Sequence, residues 1–249
     1  MASATFRWLG HSGFLVRDDS TGTKVLVDPW FEGNPAGKGR ESLGRADLLL
    51  VTHDHFDHAS DVPSLAKETG ALVVAIFEIA QDLAAKGLPP ERILNGGGGM
   101  NIGGTVEAAG CAVTMTEARH SCNLGAPAGY VVRLPSGFTF YHSGDTGIFP
   151  GMSLIGDLYP IDVALLPIGS VFTMDWRQAA LAVSLLRPKA VVPMHYRTFP
   201  ILEQTADRFV AEVERQAPGT KVVVVDPGEE ATIEAEGLPR GAVGAAPGD

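Results

Sequence analysis

The sequence is poor in cysteine, in basic residues and in long apolar runs. Only two cysteines, Cys111 and Cys122, occur among 249 residues. That excludes a disulfide framework and a Cys-rich zinc module, and two lone thiols suit a reducing compartment. Lys and Arg total 19 against 29 Asp and Glu, a formal net charge of −10. A general binder of nucleic acid or of an anionic membrane needs a basic surface, so neither partner is expected, although a local basic pocket stays open. The longest apolar run, Ala71 to Phe77, falls well short of the roughly 20 residues that cross a bilayer. Met1–Val16 is interrupted by Arg7 and His11 and has no signal-peptide core. No stable membrane anchor and a cytoplasmic location are expected. The Gly-x-Ser-x-Gly elbow of serine hydrolases is also missing: Gly10-His11-Ser12-Gly13 misses it by one position. The Gly-rich stretch Asn95–Gly104 lacks the Gly-Lys-Ser/Thr ending of a phosphate loop and reads as a plain turn.

What is present is an ordinary globular balance, with 45% hydrophobic and 19% charged residues, enough to build a core without cross-links. Short Val-, Leu- and Ile-rich runs predict strands at Thr5–Leu9, Phe14–Arg17, Lys24–Val27, Leu48–Val51, Leu72–Ile76, Val113–Thr116, Tyr130–Leu134, Thr139–Tyr141, Val163–Leu166, Ala190–Pro193 and Val222–Val225. Between them, helices are expected at Ser60–Thr69, Glu78–Lys86, Met152–Leu158, Trp176–Leu186 and Thr205–Gln216, the fourth with Asp175 as N-cap. Interleaved strands and helices give an α/β or α+β class. No linker divides the chain, so one domain is expected over residues 1–235. The Gly-, Ala- and Pro-rich tail, 236–249, is expected to fray. There is a faint internal echo. A strand runs into Asp28, and 19 residues later Asp47 opens an Asp-plus-four-apolar run. A strand runs into Asp145, and Asp162 opens a similar run 17 residues later.

The chemistry concentrates in Thr52-His53-Asp54-His55-Phe56-Asp57-His58. Three of the seven histidines fall within six residues, directly after a predicted strand. Side chains at i and i+2 of an extended chain share a side, so His53 and His55 can grip one ion. A helix starting near Asp57 would turn Asp57 and His58 toward a second point. Imidazole with carboxylate suits Zn, Fe, Mn or Ni, and the lack of thiolate argues against a closed structural zinc site. His120, His195 and His11 each end a short segment, and His142 stands three residues before Asp145. Ligands gather where strands end in α/β sheets.

With these residues in place, the sequence resembles the metallo-β-lactamase superfamily, whose His-x-His-x-Asp-His signature is His53, His55, Asp57 and His58. Trp8–Ser12, Val27–Pro35, His142–Thr146, Leu165–Gly169, Phe172–Met174 and Val192–Pro200 are similar to a branch of metal-dependent hydrolases related to the L-ascorbate-6-phosphate lactonases. The resemblance covers roughly residues 4–233. It implies a four-layer αββα sandwich and two divalent metal ions, zinc by default, with Mn, Fe or Ni as alternatives. His53, His55 and His120 would hold one ion, Asp57, His58 and His195 the other, and Asp145 would bridge them. The activity implied is hydrolysis of a small-molecule ester, lactone or phosphodiester, with water activated between ions roughly 3.5–4 Å apart. Catalytic roles are expected for Asp57, as a proton relay, and for His11, which lines the site as a partner of a ligand or a substrate contact. A satisfied structural histidine is the alternative for His11. Residues 121–129 are short where relatives often carry a longer hairpin that can cover the site or reach a neighbouring subunit; a homo-oligomer stays open.

Other residues divide between functional and structural roles. Asp28 reads as a partner of a ligand histidine or a turn-former, and His142 as structural or supporting. Trp30 and Phe31 read as pocket wall or core, Arg197 as an anion contact or a surface salt bridge, and Cys122 as an inert thiol. The rival to an enzyme is a non-catalytic metal-binding or sensor protein. Weak β-lactam hydrolysis would be a side reaction.

Overall fold

The apolar runs pair into two mixed sheets. The computed structural model describes residues 2–235, so the tail 236–249 lies outside the described residues. The first sheet contains β1 (Ser3–Gly10), β2 (Gly13–Asp18), β3 (Lys24–Val27), β4 (Leu48–Leu50) and β5 (Leu72–Val74). The second contains β6 (Thr105–Ala108), β7 (Cys111–Glu117), β8 (Ala128–Arg133), β9 (Thr139–His142), β10 (Val163–Pro167), β11 (Ala190–Met194) and β12 (Lys221–Val222). A last strand, β13 (Glu230–Glu234), returns to the first sheet, giving the orders β13-β1-β2-β3-β4-β5 and β12-β11-β10-β9-β8-β7-β6. The helices are α1 (Phe56–Ala59), α2 (Val62–Thr69), α3 (Phe77–Ala85), α4 (Met152–Leu158), α5 (Trp176–Leu186) and α6 (Asp207–Gln216).

Each expected strand and helix lies within two residues of its observed bounds, except that Val222–Val225 contracts to β12. Asp175 caps α5 as expected, accepting from the Gln178 amide at 2.8 Å. Two strands, β6 and β13, were not anticipated. Both are polar edge strands with mostly exposed or half-buried residues, so they lack the apolar run that marks an interior strand. By contrast, β4, β10 and β11 are buried throughout, as parallel strands covered on both faces must be.

The sheets face each other, and the helices lie outside them in the four-layer αββα arrangement. Phe6 of β1 meets Phe140 of β9 in the other sheet and Phe138 just before that strand, each at 6.0 Å between ring centroids. Tyr130 of β8 donates its hydroxyl to the Val51 carbonyl at 2.8 Å. Residues of both sheets form one hydrophobic cluster. Because this core occupies the inner faces, the crossover helices between parallel strands are left to the outer ones. No described helix is long and apolar enough to cross a membrane.

The internal echo is present in three dimensions. The Asp47 carboxylate accepts from the Lys24 amide at the start of β3, and the Asp162 carboxylate accepts from the Thr139 amide at the start of β9, both at 2.8 Å. Each aspartate thereby starts the parallel pairing of two strands, β3 with β4 and β9 with β10. Asp28 and Asp145 follow β3 and β9, and both reach the same edge of the sandwich.

Candidate metal centre

The site is built where strands stop. β4 is followed by Val51 and Thr52, and His55, just before α1, still has an extended backbone at φ −65° and ψ 151°. α1 then starts at Phe56 and turns Asp57 and His58 away from the line of His53 and His55. One short segment therefore supplies two donor groups. The donor atoms of His53, His55 and His120 lie within 4.8 Å of one another, and so do those of His11, Asp57, His58 and His195. Asp145 stands between the groups. Its Oδ2 is 3.0 Å from His195 Nε2, 3.3 Å from His58 Nε2 and 3.8 Å from His120 Nε2. All seven donors named from the sequence thus converge.

Asp28 organises the centre from beneath. It is fully buried, accepting from the Thr52 amide at 2.9 Å, the Thr52 hydroxyl at 2.6 Å and His58 Nδ1 at 2.7 Å. Because the Thr52 hydroxyl donates to Asp28, its oxygen accepts from His53 Nδ1–H at 3.0 Å. Both histidines are thereby held with Nδ1 outward and Nε2 toward the centre. His53 Nε2 faces His55 Nδ1 at 3.0 Å, while His58 Nε2 is buried with no hydrogen-bond partner. Two imidazole nitrogens converging at this distance, beside a buried nitrogen without a partner, fit a cation. The donors are all nitrogen and carboxylate oxygen, which suits a divalent transition metal. His11, Asp28 and His195 have positive φ, 57°, 44° and 56°, a region that few non-glycine residues adopt and that clusters at functional sites. Gly169 is also needed, since a Cβ there would lie 2.0 Å from the His195 carbonyl oxygen.

His11 is fully buried and does not line the cavity above the donors. Its Nε2 is 3.1 Å from Asp57 Oδ2, and its Nδ1 is 2.9 Å from the Thr198 hydroxyl. His142 lies outside both donor groups: its Nδ1 accepts from the Gly144 amide at 3.1 Å, so its Nε2–H donates to the Ser12 carbonyl at 2.9 Å. Cys122 belongs to neither group. Arg197 is paired with Asp226 and is absent from the cavity lining. Trp30 is buried behind Phe56 and Phe199, with ring centroids 5.5 Å and 6.1 Å away. Sequence reasoning missed Thr52, Thr198, Phe172 and Phe199. Thr52 was legible only as the neighbour of His53, and Phe172 and Phe199 only as parts of the branch-like stretches.

Charge is tightly balanced. Burial alone would lower His58, but the Asp145 and Asp28 carboxylates hold it well above the usual imidazole range. Burial would raise Asp145, yet the His195 and His58 charges hold it well below the carboxylate range. Asp57 is likewise pushed up by burial but pulled lower overall by its His11 hydrogen bond and the His58 charge. Burial, reinforced by neighbouring histidines, lowers His11 to about 4 and His53 to about 3. The unfolded chain binds these protons near pH 6.5. The two neutral histidines therefore contribute stability that is complete above pH 6.5 and is lost as pH falls through their folded values. Metal-free protein should show a melting temperature that falls steadily from pH 6.5 to pH 4, and His53→Gln should flatten that decline. A melting temperature that holds or rises across this window would contradict the assignment.

Comparison with known proteins identifies the family. The Beta-lactamase superfamily domain matches residues 23–196. A UPF0173 metal-dependent hydrolase of Nitratidesulfovibrio vulgaris is 53% identical over 228 residues, covering 91% of this chain and 94% of that protein. One from Pyrobaculum calidifontis is 48% identical over 226 residues, covering 90% and 97%. The solved structure of Igni18, a metallo hydrolase of Ignicoccus hospitalis, superposes with a TM-score of 0.83 at 40% identity, covering 93% of this chain and 99% of that one. With its two-sheet fold and its converging histidines and aspartates, the chain belongs to the metallo-β-lactamase superfamily and to its metal-dependent hydrolases.

Proposed function

We propose that the protein binds two divalent metal ions and hydrolyses a small-molecule ester or lactone, with a phosphodiester as the alternative bond. The observation that carries this reading is the division of the donors into two groups with Asp145 reaching both. His53, His55 and His120 would hold one ion, Asp57, His58 and His195 the other, and Asp145 would touch each. When bound, such a pair supplies Lewis acidity and lowers the pKa of a shared water from about 15.7 toward about 7. Zinc is the default for these donors, and Mn, Fe or Ni fit the same set.

The protein's own groups would do the rest. Asp28 fixes the orientation of His53 and His58, so that Nε2 of each faces the donor cluster, where it would bind an ion in its deprotonated form. Asp57 borders the cavity, where its carboxylate would relay a proton between the reacting centre and solvent. His11 acts through Asp57, as a positioning residue that holds the carboxylate from the buried side. The cavity over the donors, about 390 Å³, is of a size that admits a small molecule.

The test is reconstitution. After zinc loading and gel filtration, two equivalents per chain are expected by elemental analysis. Turnover of 4-nitrophenyl acetate or of bis(4-nitrophenyl) phosphate should disappear with a chelator and return with metal. One equivalent would overturn the paired-ion reading. Two equivalents without turnover of any ester, lactone or phosphodiester would favour a metal-binding or sensor protein.

A further inference from the structure

The cavity above the donors is walled on its open side by aromatic rings. Phe56, Phe172 and Phe199 line it together with His55, Asp57, His120, Ser121, Asp145 and His195. Among the described residues that line it there is no lysine or arginine. The cations nearby in sequence or space are engaged elsewhere. Lys86, in the neighbouring cleft that shares His55 and Phe56, pairs with Asp82 at 2.7 Å. Arg119 pairs with Glu117 at 3.3 Å, and Arg197 pairs with Asp226.

Two of these rings are presented to solvent rather than packed away. Phe56 is 65% exposed and Phe172 is 56% exposed. Single exposed apolar residues are common, but these two share the mouth of one cavity. Phe172 also sits on a strained loop, since Ser170 and Val171 have φ of 63° and 56°, and a β-branched residue there is a genuine outlier. The loop is closed by the Ser170 amide donating to the Met174 carbonyl and the Met174 amide to the Thr146 carbonyl, both at 3.0 Å. Phe56 and Phe199 are backed by the buried Trp30. Trp30 and Phe199 also pack edge-on against His11, with ring centroids 5.4 Å and 5.8 Å away, so these rings are fixed relative to the donor cluster.

We propose that the substrate carries an uncharged apolar group, aliphatic or aromatic, beside the bond that is broken, and that Phe56, Phe172 and Phe199 select it. This rests on the reading of the donor cluster as the reacting centre. An anionic group on that part of the substrate, such as a phosphomonoester, would lose its hydration against these rings without gaining a cation. The reacting group itself is not restricted in this way, because it meets the metal donors rather than the rings.

Binding, rather than turnover, tests the proposal. Metal-loaded protein is titrated calorimetrically with three 4-nitroanilides whose acyl chains match in length but end in a methyl, a primary amide or a sulfonate. The methyl probe should bind about tenfold or more tightly than the sulfonate, with the amide between them. Phe172→Ala and Phe199→Ala should each narrow that ratio at least about threefold with metal content and circular dichroism unchanged. Equal affinities, tighter sulfonate binding, no binding of any probe, or variants that keep the full ratio would overturn it. If the preference holds while no ester or phosphodiester is turned over, the hydrolase reading fails and the apolar selectivity stands.

Discussion

Asp145→Ala is expected to abolish activity and metal retention together. Asp145 is 3% exposed, and its Oδ2 faces nitrogen donors from both groups at 3.0 to 3.8 Å. Its other oxygen accepts from the Ser12 hydroxyl at 3.3 Å. Without this carboxylate, no anion is common to the two groups, and paired cations would repel one another across the site. Losing several kcal/mol of metal-derived stabilisation corresponds to a fall of at least about 10³-fold in kcat/KM. Elemental analysis should find less than one equivalent of metal per chain. Asp145→Asn keeps the shape but not the charge, so it should retain more metal than Ala and remain nearly inactive. Two equivalents and wild-type turnover in the Ala variant would rule out a shared carboxylate.

Asp28→Ala should damage both halves of the centre although Asp28 belongs to neither half. It is fully buried and accepts three hydrogen bonds, one directly from His58 and one from the Thr52 hydroxyl that holds His53. Removing one partner of a buried, hydrogen-bonded charge pair costs about 3–5 kcal/mol. For a chain of this size that is a melting-temperature drop on the order of 10 °C. Outer partners of ligand histidines are worth roughly 10–100-fold in metal affinity, and here one donor of each group loses its tautomer control. Chelator competition should therefore show both binding steps weakened. Asp28→Asn should not rescue, because an amide N–H would face the His58 Nδ1–H or the Thr52 hydroxyl. A variant that weakens only one step would mean that Thr52 does not transmit the effect to His53.

Much of the centre was legible because its chemistry is local. His53, His55, Asp57 and His58 fall on one strand-to-helix junction, and backbone geometry alone divides them into two directions. His120, Asp145 and His195 were legible because strands deliver their ends to one edge of a sandwich. The same principle made Asp28 a candidate partner. Thr52 and Thr198 were not legible as participants, since their roles depend on hydroxyl contacts and threonine is common throughout the chain. His11 shows how far the sequence can point without deciding. Its segment marked it as part of the site, but only tertiary contacts put it behind Asp57 rather than in the cavity. The edge strands show the same limit. β13 pairs with β1 in a register that sets Thr5 opposite Thr232, and its polar residues carry no apolar signal.

The sequence by itself determined the α/β class, the positions of the interior strands and helices, the donor chemistry and a likeness between the two halves around Asp28 and Asp145. These follow from apolar periodicity and from residue types that few other roles require in such a cluster. Tertiary structure alone decided which nitrogen of each histidine faces inward, that His11 stands behind Asp57, and that aromatic rings rather than cations wall the cavity. Those properties depend on atoms brought together from opposite ends of the chain, such as His11 beside Thr198 and Trp30 against Phe199. A linear pattern carries residue type and spacing, whereas a hydrogen bond or a cavity wall exists only once two sheets have closed over a common core.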